Sequence, residues 1–158
     1  MITFEQNNIK FNFRVAGIAV HQNRILLHTT LTDDFWNLPG GRVEFNESTD
    51  QTISREMEEE LGIKVKIKGL LFVNEDFFEY DGKLFHEIGF YYLIDFPEGH
   101  EITEIQDQFI GIEEGGKLIF QWFTIDQLEQ LNVYPRILKS QLLKLKEKNE
   151  IQHIINRQ

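Results

Sequence analysis

Apolar and β-prone residues crowd the stretch "FNFRVAGIAV" (Phe11–Val20), which predicts a strand. "RILLHTT" (Arg24–Thr30) repeats the pattern after a "HQN" turn. "FWNLPGGRVEF" (Phe35–Phe45) reads as strand, turn and strand, broken at Pro39-Gly40-Gly41. The period then changes. Ile53, Met57 and Leu61 recur at i, i+4 and i+8, the spacing of one helix face. Ser48 with Gln51 three residues on forms a capping-box pattern at its start, and Gly62 is the expected stop. Beyond it "IKVKIKGLLFV" (Ile63–Val73) alternates apolar residues with lysine, as a half-buried strand does. "FFEYDGKLFHEIGFYYLIDF" (Phe77–Phe96) reads as two strands joined across Asp81-Gly82. Pro97 to Lys117 is a long acidic connection with weak patterning. "LIFQWFTI" is a further strand, while "IDQLEQL" and "YPRILKSQLLKLKEK" read as helices, the second amphipathic. Strands on both sides of a helix, with hairpins and crossovers mixed, predict an α/β fold. Its mixed β-sheet is flanked by helices on both faces, in a single domain over residues 1–158.

Composition narrows the function classes. No apolar run approaches membrane-spanning length in this 158-residue chain, and no basic-then-apolar signal pattern opens it, so a cytoplasmic location is expected. The absence of cysteine excludes disulfides, thiolate nucleophiles and zinc–cysteine sites. A formal net charge of −10 argues against a nucleic-acid polymer as partner, because such binding needs clustered basic residues. It leaves room for a small phosphorylated substrate whose charge a cation offsets. The charge is uneven: from Arg136 onward six Lys/Arg stand against two Glu, which makes the C-terminal segment either a solvated basic face or a homodimer contact.

The helix carries the candidate chemistry. Seven acidic residues fall between Gly40 and Ile63. On a wheel of 100° per residue Glu56, Glu59 and Glu60 span an arc of about 100°, flanked by Arg55, with Glu47 at the helix entrance. A solvated acidic face is the ordinary explanation, with an Arg55–Glu59 pair. Two features oppose it. Glu56 and Glu60 are like charges at i,i+4, and acid persists to the helix end, where the macrodipole disfavours it. A hard divalent cation such as Mg²⁺ or Mn²⁺, which takes oxygen ligands, removes both objections.

The same residues resemble the Nudix box of the Nudix hydrolase family, a MutT-like pattern. Gly41, Glu47, Arg55, Glu56, Met57, Glu59, Glu60, Gly62 and Ile63 fill it over residues 41–63 without a gap. Seven fixed identities at average composition give chance odds on the order of 10⁻⁸ per start position. Asn46 stands where many members carry glycine. The resemblance implies a Mg²⁺-dependent pyrophosphohydrolase, with Mn²⁺ as a substitute, acting on a nucleoside diphosphate linked to a further group. By matched position Glu56 and Glu60 are the principal metal ligands. Glu59 is the next ligand or the base, Glu47 and Arg55 orient the site, and the Gly41 backbone approaches the metal.

Outside the box the candidates are weaker. Glu44 is a second-metal ligand or an Arg42 partner. Many relatives recruit a later loop carboxylate as base, which points to Glu113 or Glu114. His86 is a candidate phosphate or base contact, or an ordinary edge histidine, and Arg14 is a candidate phosphate contact or a carboxylate partner. Trp36 leads the loop aromatics (with Phe35, Phe77, Phe78 and Tyr80) as a stacking surface for a base. A nucleoside triphosphate or close derivative is the favoured substrate, with ADP-ribose and dinucleoside polyphosphates as alternatives. Chemistry like that of isopentenyl diphosphate isomerase is disfavoured by the missing cysteine, and RNA decapping by the acidic balance. The reading of another class is a non-catalytic nucleotide sensor on the same fold, which need not keep these glutamates.

Overall fold

The computed structural model describes residues 1–113, 115–144 and 150–157. Its spine is β2 (Ile9–His21), which pairs in parallel with β7 (Lys83–Asp95) along eleven register positions. β1 (Thr3–Gln6) and β5 (Gly40–Arg42) pair antiparallel with β2, and β3 (Arg24–Thr29) leaves its far end through a tight turn. β4 (Trp36–Asn37) and β9 (Ile119–Thr124) flank β3; β8 (Phe109–Ile110) adds to β9, and β10 (Val133–Tyr134) to β4. On the other side β6 (Lys66–Tyr80) pairs with β7, and β11 (Gln152–Arg157) runs parallel to β6. The sheet is mixed, as the sequence predicts. Alternation along β2 sends Val15 and Ala19 to one face and Ala16 and Ile18 to the other. The first face is covered by α1 (Thr49–Leu61) through Ile53, Met57 and Leu61, each worth roughly 2 kcal/mol of burial. The second is covered by α2 (Leu138–Leu143) through Leu138 and Leu142.

Local chemistry explains the element ends. The Ser48 N–H donates to Gln51 Oε1 at 2.9 Å at the head of α1, and Gly62 at φ +70° donates its N–H to the Glu58 carbonyl at its foot. Asp81 and Gly82 both take positive φ in the two-residue turn between Tyr80 and Lys83, the geometry that matches strand twist. Asn46, before the first box glutamate, sits at φ +62°. Asparagine enters this region more readily than most side chains, so the loop keeps a shape that glycine would also supply.

Several expectations are corrected. β1 and β11 were not predicted. The strand expected over Ile63–Val73 and the first arm of the hairpin form one continuous β6, bent by register shifts near Ile67–Gly69 and Leu70–Phe72. The polar run Asn74-Glu75-Asp76 interrupts the apolar pattern without interrupting the hydrogen bonds. Ile125–Glu129 is a 3₁₀ helix rather than an α-helix. The acidic connection holds a 3₁₀ turn at Glu101–Glu104 and strand β8. Of the predicted C-terminal helix, Tyr134 belongs to β10, α2 is six residues long, and residues 145–149 lie outside the described ones.

Candidate active site

Arg55 organises the acidic face of α1. Its Nε and Nη2 grip Glu47 through both carboxylate oxygens at 2.8 and 3.0 Å. Nη1 is shared between Glu56 at 2.7 Å and Glu59 at 3.0 Å, and Nη2 also donates to the Arg42 carbonyl at 3.1 Å. Helix, box loop and β5 are thereby tied at one guanidinium. Glu47 further accepts from the Glu44 N–H and the Thr52 hydroxyl. These donors, Arg55 foremost, hold its pKa down at about 2 against burial. Only a planar fork spans four acceptors at once. Arg55→Lys therefore keeps the charge but lowers stability by about 1–2 kcal/mol, read as a shift of the urea midpoint.

Glu60 has no such support. It is 4% exposed, and its Oε2 has no hydrogen-bond partner among the described residues. Burial, then the neighbouring Glu56 charge, pushes its pKa up to about 8, with Arg14 opposing. Burial also raises Glu56, while Arg55 pulls it down. Gly41 lies against Glu56: a Cβ there would meet its carboxylate at 2.2 Å. Gly41→Ala collides with the end of a flexible side chain, so stability falls by less than about 1.5 kcal/mol. Activity falls roughly a hundredfold because Glu56 is displaced; kinetics paired with thermal melts of the same variant separate the two effects.

Among the described residues no three His, Asp or Glu side chains are gathered closely enough to hold an ion as they stand. Arg55 holds both Glu56 and Glu59 by hydrogen bonds. The donor set still fits a divalent cation. It offers hard oxygen ligands, a buried Glu60 carboxylate oxygen without a partner among the described residues, and at Gly41 a backbone without Cβ against the Glu56 carboxylate. Glu56, Glu60, Glu59 and the Gly41 carbonyl are the groups that would hold it.

The remaining candidates fall in different places. The loop after β8 packs on the end of α1, where the Ile112 N–H donates to the Glu60 carbonyl at 2.8 Å. Exposed Glu113 follows, close enough to push the Glu60 pKa further up. Glu114 lies outside the described residues. The Glu44 carboxylate is ion-paired with the amino group of Met1. Arg14 donates to the Leu38 carbonyl at 3.0 Å and lines a cleft of about 760 Å³ beside the acidic helix, together with Arg42, its register partner. Phe35, Phe78 and Tyr80 line it too, and so do Phe85 and Tyr134, which the sequence reading did not single out. Trp36 does not line it; its ring packs edge-on against Phe123 at 4.7 Å. His86 and Phe77 stack on each other at 4.4 Å, and neither lines the cleft. Strand alternation turns Glu87 to the cleft and the adjacent His86 away. The period of two along "LFHEIGF" could have shown that these neighbours point apart, but not which of them meets the cleft.

With this geometry in place the class is defined: the NUDIX domain model matches residues 11–142, and the chain belongs to the Nudix family. Among its relatives is the 8-oxo-dGTP diphosphatase of Buchnera aphidicola subsp. Schizaphis graminum, 33% identical over 61 residues, which are 36% of this chain and 47% of that protein. The chain matches less than half the length of the curated relatives. Among solved structures, the MutT NUDIX hydrolase of Burkholderia pseudomallei is 27% identical with a TM-score of 0.64, over 84% of this chain and 98% of that one. The NUDIX hydrolase of Nitrosomonas europaea shares the fold at a TM-score of 0.65 and 17% identity, over 93% of this chain and 79% of that one. No helix among the described residues is long and apolar enough to cross a membrane.

Proposed function

We propose that the protein is a Mg²⁺-dependent pyrophosphohydrolase that cleaves a nucleoside diphosphate linked to a further group, with a nucleoside triphosphate or close derivative as substrate. The observation that carries this is the buried Glu60 carboxylate, whose Oε2 lacks a partner among the described residues, near the charge of Glu56, which in turn lies against the Cβ-free Gly41. A solvated acidic face has no reason to bury a carboxylate in that way. A bound divalent cation supplies charge neutralisation at the phosphates and an activated water. The chain's own residues do the rest. Arg55 fixes α1 against the box loop, so Glu56 and Glu60 stay aimed at one place. Glu59, half exposed at the rim, is free to leave Arg55 and accept a proton, and Glu113 is a second acceptor from the facing loop. Arg14 and Arg42 hold the phosphate chain at the cleft, whose aromatic walls take the base. Relatives named as 8-oxo-dGTP diphosphatases support a nucleotide substrate. Keeping Glu56, Glu59 and Glu60 with Arg55 favours an enzyme over a sensor.

The test is a hydrolysis screen with Mg²⁺ across nucleoside triphosphates (oxidised ones included), ADP-ribose, dinucleoside polyphosphates and nucleotide sugars. Turnover of at least one class, lost on chelation, is expected. Binding without turnover across the whole panel would leave the sensor standing instead.

A further inference from the structure

The cleft floor places two carboxylates face to face. Asp76 of β6 and Glu87 of β7 are direct cross-strand partners, and both line the cleft. Like charges directly opposite each other on a sheet repel, yet here each is held in place by a dedicated amide. The Thr3 hydroxyl of β1 lies 2.8 Å from both the Phe11 carbonyl and Asn12 Oδ1 and shares its one proton between them. With its oxygen so engaged, Asn12 turns Nδ2 to Glu87 Oε2 at 3.4 Å. On the other side Asn156 of β11 donates Nδ2 to Asp76 Oδ1 at 2.9 Å. Asp76 and Asn12 are 5% and 4% exposed, so this array sits in the sheet and not on a solvated rim. Burial pushes the Glu87 pKa up and Asp76 adds to it, while Arg14 and Asn12 oppose. A ligand that donates to both carboxylates would relieve their repulsion.

Resting on the nucleotide-hydrolase reading above, we propose that the Asp76–Glu87 pair is the specificity element of the cleft. It selects a base presenting two adjacent N–H donors: the guanine edge that carries N1–H and the 2-amino group. Arg14 and Arg42 act on Glu87 against its burial and favour its charged form, and the ionised pair only accepts hydrogen bonds. Adenine and cytosine each place a ring acceptor beside the amino group, and uracil or thymine flanks its N–H with two carbonyls. Each of these sets a lone pair against a carboxylate. Arg14 and Arg42 in the same cleft serve the phosphates, which leaves the acidic floor for the base, between aromatic walls that include Phe35, Phe78 and Tyr134. Asn12 and Asn156 are positioning residues, acting through Glu87 and Asp76.

GTP and ITP differ only in the 2-amino group and so provide the test. In the unmodified protein kcat/KM for GTP exceeds that for ITP by roughly ten- to a hundredfold. Asp76→Asn and Glu87→Gln each pull this ratio toward one, because an amide sets a donor where the base also donates. Asn156→Ala lowers it partway, a change that a merely structural role would not produce. Equal kcat/KM for GTP and ITP in the unmodified protein, or a ratio unmoved in both carboxylate variants, overturns the assignment. Calorimetric titration of GMP and IMP separates it from the reading beneath it. If no nucleotide is hydrolysed the hydrolase reading fails, whereas tighter binding of GMP than IMP still supports the carboxylate pair. Equal binding, or none, overturns it.

Discussion

Under the proposed pyrophosphohydrolase function, Glu60→Gln lowers turnover by about a thousandfold, the loss expected when several kcal/mol of electrostatic stabilisation is removed from a phosphoryl-type transition state. The substitution is isosteric and takes a charge out of a site that is 4% exposed, so the fold survives. Melting in the absence of metal at pH 8 is therefore no lower than in the unmodified protein. That combination separates a functional carboxylate from a structural one, since a residue kept for packing would lose stability and activity together. Glu59→Gln also removes most activity, while Glu58→Gln changes little, because Glu58 is exposed and falls at the free position of the box. Full activity in both Glu59→Gln and Glu60→Gln would sink the assignment of the site.

The second large effect is on stability. The Glu60 carboxyl titrates near pH 8 in the folded protein, against an ordinary value of 4.5. Between those values the native state keeps a proton that the unfolded chain has released. Native-state stability therefore falls as pH rises from about 4.5 toward 8, by an amount on the order of 4 kcal/mol. For a chain of this size that is about 10 °C in Tm. Glu47 works in the opposite direction at lower pH. Its depressed pKa, about 2, contributes stability that is complete above the ordinary value of 4.5 and is lost as pH falls through 2. Metal-free melts between pH 5 and pH 8 should show the decline in the unmodified protein and a flatter profile in Glu60→Gln. Millimolar Mg²⁺ or Mn²⁺ at pH 8 should restore Tm in the unmodified protein, because the ion binds the folded state alone. A Tm indifferent to both pH and metal would count strongly against a carboxylate site shaped for a cation.

The box and its helix were legible because their information is local. Spacing alone puts Glu56, Glu59 and Glu60 on one arc, and the caps at Ser48 and Gly62 are written in adjacent residues. The paired strands around Asp81-Gly82 were legible for the same reason. What was not legible depends on distant pairing. β1 is four residues long, and its exposed Phe4 gives little burial signal; the Asn7-Asn8 pair, both at positive φ in the structure, was the turn cue that could have revealed it. β11 follows a stretch whose lysines and leucines read as a continuing helix. These two strands supply Thr3 and Asn156, which orient Asn12 and Asp76 on the cleft floor. Missing them therefore hid the array at the base of the cleft. Trp36 shows the converse: position near a loop suggested a base-stacking surface, but its contact is Phe123, eighty-seven positions away in the numbering.

Mn²⁺ binding followed by electron paramagnetic resonance tests most directly whether the carboxylates of α1 form a cation site. Titrating the unmodified protein, Glu56→Gln and Glu60→Gln with Mn²⁺ reads occupancy without reference to any substrate. Saturable binding by the unmodified protein, displaced by Mg²⁺, is expected, with affinity lowered by tenfold or more in each variant. Binding that is absent from the unmodified protein, or equally tight in both variants, would contradict it.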